Sequence, residues 1–142
     1  MRTDANTANK EASPKELVYP ELSYQLIGIL FQAHKELGRY CNEKQYGDRV
    51  EVLLQEKKIS YQREYVLPVS FAGEHPARNK VDFVVENKIV LELKTKPMIT
   101  REDYYQTQRY LRALERKLGI LVNFRKKYIA PKRILNSEVE IY

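Results

Sequence analysis

The sequence predicts an α/β domain, and three observations predict it: two stretches of helical apolar period near the start, a Val- and Ile-rich hairpin in the middle, and a third helical stretch followed by a short apolar run. With 142 residues the chain is long enough for one core and short for two, so any site must lie on a single sheet-and-helix unit. A hydrophobic content of 43% suits a folded protein despite 31% charged residues.

Residues 1–19 lack a repeating apolar face and are expected to be a flexible leader ending at Pro20. From Glu21 to Leu37 the residues Leu22, Leu26, Ile29, Leu30, Ala33 and Leu37 recur in steps of three and four, so a helix is predicted there, stopped by Gly38. A second helix is predicted over Asn42 to Lys57, with Asn42 as cap and Tyr46, Val50, Leu53 and Leu54 as its apolar stripe. Tyr61 to Phe71 alternates as a strand with Tyr65, Leu67 and Val69 on one side, and residues 72–76 read as a turn. Lys80 to Glu86 and Lys88 to Lys94 form the hairpin. A helix from Thr100 to about Lys117 follows, with Asp103 in its first turn and Gly119 as its stop. Ile120 to Phe124 suits a buried strand, and residues 136–142 read as a tail or short strand, which leaves 20–135 as the domain.

Composition narrows the class. Cys41 is the single cysteine, which excludes an internal disulfide framework and a cysteine-based zinc cluster within one chain. No apolar run approaches the ~18 residues of a membrane span, and residues 1–13 lack the apolar stretch of a secretory signal, so the expected place is the cytoplasm with no membrane contact. The net charge of +6 is concentrated late: residues 101–142 carry ten Lys or Arg against five Asp or Glu. Such asymmetry suits a polyanion, although lysine excess also simply keeps proteins dissolved.

The hairpin carries the chemistry. If Glu86, Asn87 and Lys88 form a three-residue loop, Val85 pairs with Ile89, Phe83 with Leu91, and Asp82 faces Glu92, with Lys94 two residues along the same face. Val81, Phe83 and Val85 then join Ile89, Leu91 and Leu93 on the apolar face, whereas a two-residue turn would drive charge into the core. Two facing carboxylates repel and call for a cation; Mg²⁺ or Mn²⁺, which prefer carboxylate and water oxygens, would supply it. The plainer reading of the same residues is a solvent-facing strand surface, on which carboxylates followed by lysine are common.

Asp82, the nine-residue gap and Glu92-Leu93-Lys94 resemble the D-x(n)-(D/E)-x-K signature of PD-(D/E)XK nucleases. More closely, the chain is similar to the GxxExxY proteins, a branch of that superfamily, over about residues 21–124. The matching pieces are Leu26-Ile27-Gly28, Ala33-His34, Leu37-Gly38, Glu43-Lys44-Gln45-Tyr46, the hairpin, Gln106 with Tyr110-Leu111, and residues 119–124, Gly-Ile-Leu-Val-Asn-Phe. Tyr40 departs from the pattern, standing where the family often has a glycine.

The resemblance implies a restriction-endonuclease-like core, a central mixed β-sheet flanked by α-helices. It implies a metal-dependent nuclease with a metal-held water as nucleophile, Asp82, Glu92 and Glu43 as ligands, Lys94 positioning the nucleophile, and Gln106 supporting the site. The expected cofactor is Mg²⁺ or Mn²⁺, and the expected partner is nucleic acid, DNA first. Restriction-type nucleases often act as dimers, so a homodimer stays open, although no heptad repeat argues for it. Arg101, Arg109, Arg125, Lys126 and Lys127 are the candidate nucleic-acid contacts, with nearby tyrosines for stacking; a solvated helix face and tail is the plainer alternative. Glu43 and Gln106 also have ordinary readings, as a solvated charge and a packing residue. Tyr46 and His34 read as structural. A noncatalytic nucleic-acid- or protein-binding module on the same fold is the competing function.

Overall fold

A computed structural model of the chain describes residues 18–76 and 78–139. The expected leader, Val18 and Tyr19 apart, and the last three positions of the expected tail lie outside the described residues. The elements run α1 (Pro20–Leu37), α2 (Glu43–Glu56), β1 (Tyr61–Val66), β2 (Lys80–Val85), β3 (Ile89–Lys94), α3 (Arg101–Leu114), β4 (Leu118–Asn123) and β5 (Lys132–Leu135). The strands form one sheet in chain order, antiparallel except for β3 and β4, which are parallel and joined through α3. This mixed sheet with helices on both faces is the restriction-endonuclease-like arrangement expected above. None of the described helices is long and apolar enough to cross a membrane.

Local chemistry sets the helix boundaries. Asn42 caps α2 and exchanges hydrogen bonds with Gln45 in a capping box, while Thr100 and Asp103 do the same for α3. α3 ends earlier than expected, at Leu114, because Glu115 turns left-handed (φ 55°) and the Arg116 N–H returns to the Leu111 carbonyl at 3.0 Å. Gly119 is therefore no helix stop; it lies inside β4 under α3. A Cβ there would stand 3.0 Å from Thr107 Cγ2, so the missing side chain lets helix and strand approach. Gly119→Val is expected to cost ~1–3 kcal/mol of stability by overpacking, read as a lower urea midpoint at unchanged m-value.

β1 is also shorter than expected. It ends at Val66 because Pro68 brings no N–H to continue the ladder, and Val69 and Phe71 are exposed, so the predicted stripe stops at Leu67. Between β2 and β3 the register is the one that the three-residue loop demands: Val85↔Ile89, Val84↔Val90 and Phe83↔Leu91. Glu86 and Asn87 are both left-handed (φ 54° and 53°), and the Lys88 N–H closes on the Val85 carbonyl at 2.9 Å.

Two cores sandwich the sheet. α1 and α2 cover Phe83, Val85, Ile89, Leu91 and Leu93, while α3 covers Val84, Val90 and Leu121 on the other side. Val81, expected with Phe83, packs instead with Val84 in the second core. Tyr46 is structural as expected: its ring stacks on Phe124 at 4.2 Å and 5°, and its hydroxyl donates to the carbonyl of Gly38 in the loop between α1 and α2. Tyr46→Ala removes both and is expected to cost ~3–5 kcal/mol, whereas Tyr46→Phe keeps the stacking and costs ~1–2 kcal/mol for the stranded carbonyl; chemical denaturation of the two variants separates ring from hydroxyl.

Candidate functional site

The ladder between β2 and β3 stops at Phe83 and Leu91, one step before Asp82 and Glu92. Beyond that step side chains take over the backbone's role. The Asp82 N–H donates to Glu92 Oε2 at 2.9 Å, and the Leu93 N–H donates to Asp82 Oδ2 at 2.7 Å. Each acid is thus held by the opposite strand's backbone. On the other flank the ladder from β1 skips Glu64, the residue opposite Asp82, which is left-handed at φ 53°. Both ladders are interrupted at Asp82, and the same break carries Val81 across to the α3 side.

The parted strands open a cleft of about 230 Å³ lined by Glu43, Lys44, Arg63, Glu64, Asp82 and Leu93. Arg63 positions its wall. The guanidinium bonds Asp48 and Glu51 of α2, both at 2.8 Å, and lies 5.6 Å over the Phe83 ring. It passes where Gly47 has no side chain, since a Cβ there would sit 2.5 Å from Nη2. This clamp binds the first turns of α2, which carry Glu43, to the edge of the sheet.

Electrostatics shows which groups meet. Glu92 is only 3% exposed, and burial together with the Asp82 charge pushes its carboxyl up to about 8. Burial also raises Asp82 above the usual carboxylate range, with Lys94 opposing and Glu64 reinforcing the shift. Glu43 is raised by burial and by Asp82, which puts it in the field of the pair. From α3, Tyr110 is pushed up to about 12 by its burial and by Glu92 and Asp82. The ammonium of Lys94 donates to Gln106 Oε1 at 3.2 Å, so α3 orients it.

The hairpin trio and Gln106 therefore meet at one end of the sheet, between α2 and α3. Glu43 borders the group without joining it as a ligand cluster: among the described residues no three His, Cys, Asp or Glu are gathered to hold a metal ion. A two-carboxylate site still suits Mg²⁺, which often uses one or two carboxylates and fills its remaining positions with water and substrate oxygens. Asp82 and Glu92 each keep one carboxylate oxygen outside the hydrogen bonds among the described residues. Their raised affinity for protons comes first from burial, with the Asp82 charge adding to it at Glu92, and a bound cation would offset the cost of keeping both ionised.

The basic candidates divide. Arg101 and Arg109 are exposed on α3. Arg125 is tied to the Arg39 carbonyl at 3.0 Å and lies near the Tyr40 ring, so it braces the loop after α1. The side chains of Lys126 and Lys127 are exposed.

Several neighbours escaped the sequence reading. Lys96 bonds both carboxylate oxygens of Asp103, at 3.0 and 2.8 Å, and the Asn123 amide bridges the Lys96 backbone at 3.1 and 2.7 Å. Burial would raise Asp103, but the bonds from Lys96 and Thr100 hold it below the usual range. The alternate spacing of Glu92, Lys94 and Lys96 was the available signal for Lys96. Glu64 and Arg63 had none, because their place depends on how β1 pairs with β2.

Residues 20–134, most of the chain, match the profile of a family described as the PD-(D/E)XK nuclease superfamily. Neither the search of curated proteins nor that of solved structures found a match.

Proposed function

From the premise that this chain belongs to the PD-(D/E)XK nuclease superfamily, we propose that it is a metal-dependent nuclease that hydrolyses phosphodiester bonds, within the GxxExxY branch. The observation that carries the reading is the pair of buried carboxylates, Asp82 and Glu92, locked by each other's strands beside a lysine oriented from α3. Two buried acids stand there against one lysine, an excess of carboxylate that a structural ion pair would not call for.

Asp82 and Glu92 would hold Mg²⁺ or Mn²⁺, whose chemistry at such a site is to neutralise phosphoryl charge and acidify a water. Lys94 presents its ammonium where negative charge develops, and its bond to Gln106 restricts the flexible stem to one direction. Glu43 adds negative charge at the cleft wall and helps orient a water there. Arg101, Arg109, Lys126 and Lys127 supply exposed positive charge for the polyanion, with Arg125 contributing from its braced position. The identity of residues 43–46, with Gln106 and the run 119–124, supports the finer branch.

The test is cleavage of end-labelled single- and double-stranded DNA and RNA in Mg²⁺ or Mn²⁺ against EDTA. Metal-dependent products from at least one substrate are expected. Binding without cutting on the whole panel would instead establish the noncatalytic module.

A further inference from the structure

We propose that a hollow on the α3 side of the sheet, alongside Glu92 and Lys94, with Leu121 and Asn123 as its floor and Lys126, Tyr128 and Lys132 at its rim, seats one unpaired nucleotide next to the phosphodiester to be cut. The inference rests on the nuclease reading above and deepens it, because it names the substrate as single-stranded or splayed nucleic acid.

The placement follows from the parallel strand. In the register of β3 and β4, Glu92 neighbours Leu121 and Lys94 neighbours Asn123. Such partners share a face of the sheet, and adjacent strands are ~4.8 Å apart. The floor of the hollow is therefore the strand beside the catalytic one. Its volume of about 360 Å³ falls in the ~300–1,000 Å³ range of small-molecule sites.

The chemistry of the two cavities is opposite. Glu43, Glu64 and Asp82 line the cleft, whereas among the described residues no carboxylate lines the hollow. Ile99 and Leu121 offer apolar surface, and Lys126 and Lys132 offer two exposed ammonium groups. Tyr128 is 79% exposed with the Lys127 ammonium 5.5 Å from its ring centre. An aromatic face flanked by cations matches a nucleobase flanked by phosphates, and stacking of this kind tolerates any base. Bases inside a duplex already stack on one another, so the ring is useful only to an unpaired one.

The loop that displays Tyr128 is braced. His34 Nε2 is paired with the Lys126 carbonyl at 2.8 Å, Arg125 with the Arg39 carbonyl at 3.0 Å, and Ile129 is buried in the core. Asn123 Oδ1 also accepts from the Arg125 N–H at 3.2 Å. The ring is therefore offered from a fixed backbone, which lowers the ordering cost of binding.

The experiment measures anisotropy of short labelled DNA and RNA oligonucleotides, single-stranded and as blunt duplexes, at low salt in EDTA. Single strands are expected to bind more tightly than duplexes. Tyr128→Ala is expected to weaken single-strand binding by about 5- to 100-fold, Tyr128→Phe to bind as the wild type does, and abasic oligonucleotides to remove the difference between wild type and Tyr128→Ala. Whichever sugar binds tighter identifies the polymer that the hollow takes. Absent binding by the wild type, an unaltered Tyr128→Ala, or equal weakening on duplex and single strand would each overturn the subsite. Since metal is excluded, the readout is separate from catalysis. A stacking signature without cleavage would sink the nuclease reading and leave the subsite standing, whereas cleavage of every substrate unchanged by Tyr128→Ala would remove the subsite alone.

Discussion

Lys94→Ala is expected to lower metal-dependent cleavage by about 10²–10³-fold while the unfolding midpoint stays close to that of the wild type. Lys94 is half-buried, and the one hydrogen bond of its side chain among the described residues is to Gln106, so the fold loses little when the side chain goes. The reaction would lose a positive charge placed near the reacting phosphate. Asp82→Asn should be at least as damaging, because it removes a carboxylate that would hold the metal and keeps an oxygen able to accept from the Leu93 N–H. Gln106→Ala acts at one remove: it frees the ammonium to wander, and a displacement of ~1 Å can cost up to ~10²-fold. The measurement is kcat and KM for each variant on the best substrate, with circular dichroism as the fold control. A rise in KM at unchanged kcat for Lys94→Ala would assign the lysine to binding and remove it from the chemistry.

The second large effect is a dependence of stability on pH that metal cancels. Glu92 has an ordinary carboxyl value of 4.5 when unfolded and about 8 when folded, so between those limits the native state holds a proton that the unfolded chain releases. Its contribution is fully present below pH 4.5 and is lost as pH rises through about 8; Asp82, raised from 3.8, acts in the same direction. A tenfold difference in proton affinity between the folded and unfolded chain is worth ~1.4 kcal/mol, so the loss amounts to a few kcal/mol. Asp48, Glu51 and Asp103 run the other way, being held low by their basic and hydrogen-bonding neighbours, and they lose stability toward acid. The difference between wild type and Glu92→Gln isolates the buried acid. The variant is expected to be the more stable protein above pH 8 without metal, by roughly 3 °C in Tm per kcal/mol. Mg²⁺ or Mn²⁺ should raise the wild-type Tm at that pH and leave the Glu92→Gln Tm unchanged. Parallel Tm profiles for the two proteins from pH 5 to 9 would show that Glu92 is not the strained group.

Elements governed by neighbours a few residues away could be read from the chain. Asn42 and Thr100 announced their helices because each cap is completed by the residue three positions on. The hairpin register was readable because one residue of slip would exchange the apolar and charged faces. The failures are equally physical. Gly119 looked like a stop because glycine is favoured just past helix ends, yet it serves a close approach between α3 and β4 that no local pattern reports. Val81 obeyed alternation on paper, but the backbone breaks alternation where Asp82 and Glu92 replace the ladder.

Side-chain period and short-range hydrogen bonding, which act within one or two turns of chain, were thus enough to put Asp82, Glu92 and Lys94 in one register with an apolar back. Glu43 and Gln106 were named beside them by family resemblance alone, and only the tertiary structure decided the rest of their surroundings: β1 bringing Glu64 and Arg63, and parallel β4 laying Leu121 and Asn123 alongside. Those placements are set by burying two separate cores on opposite faces of the sheet, a balance struck among residues far apart in the chain and therefore carried by no single stretch of it.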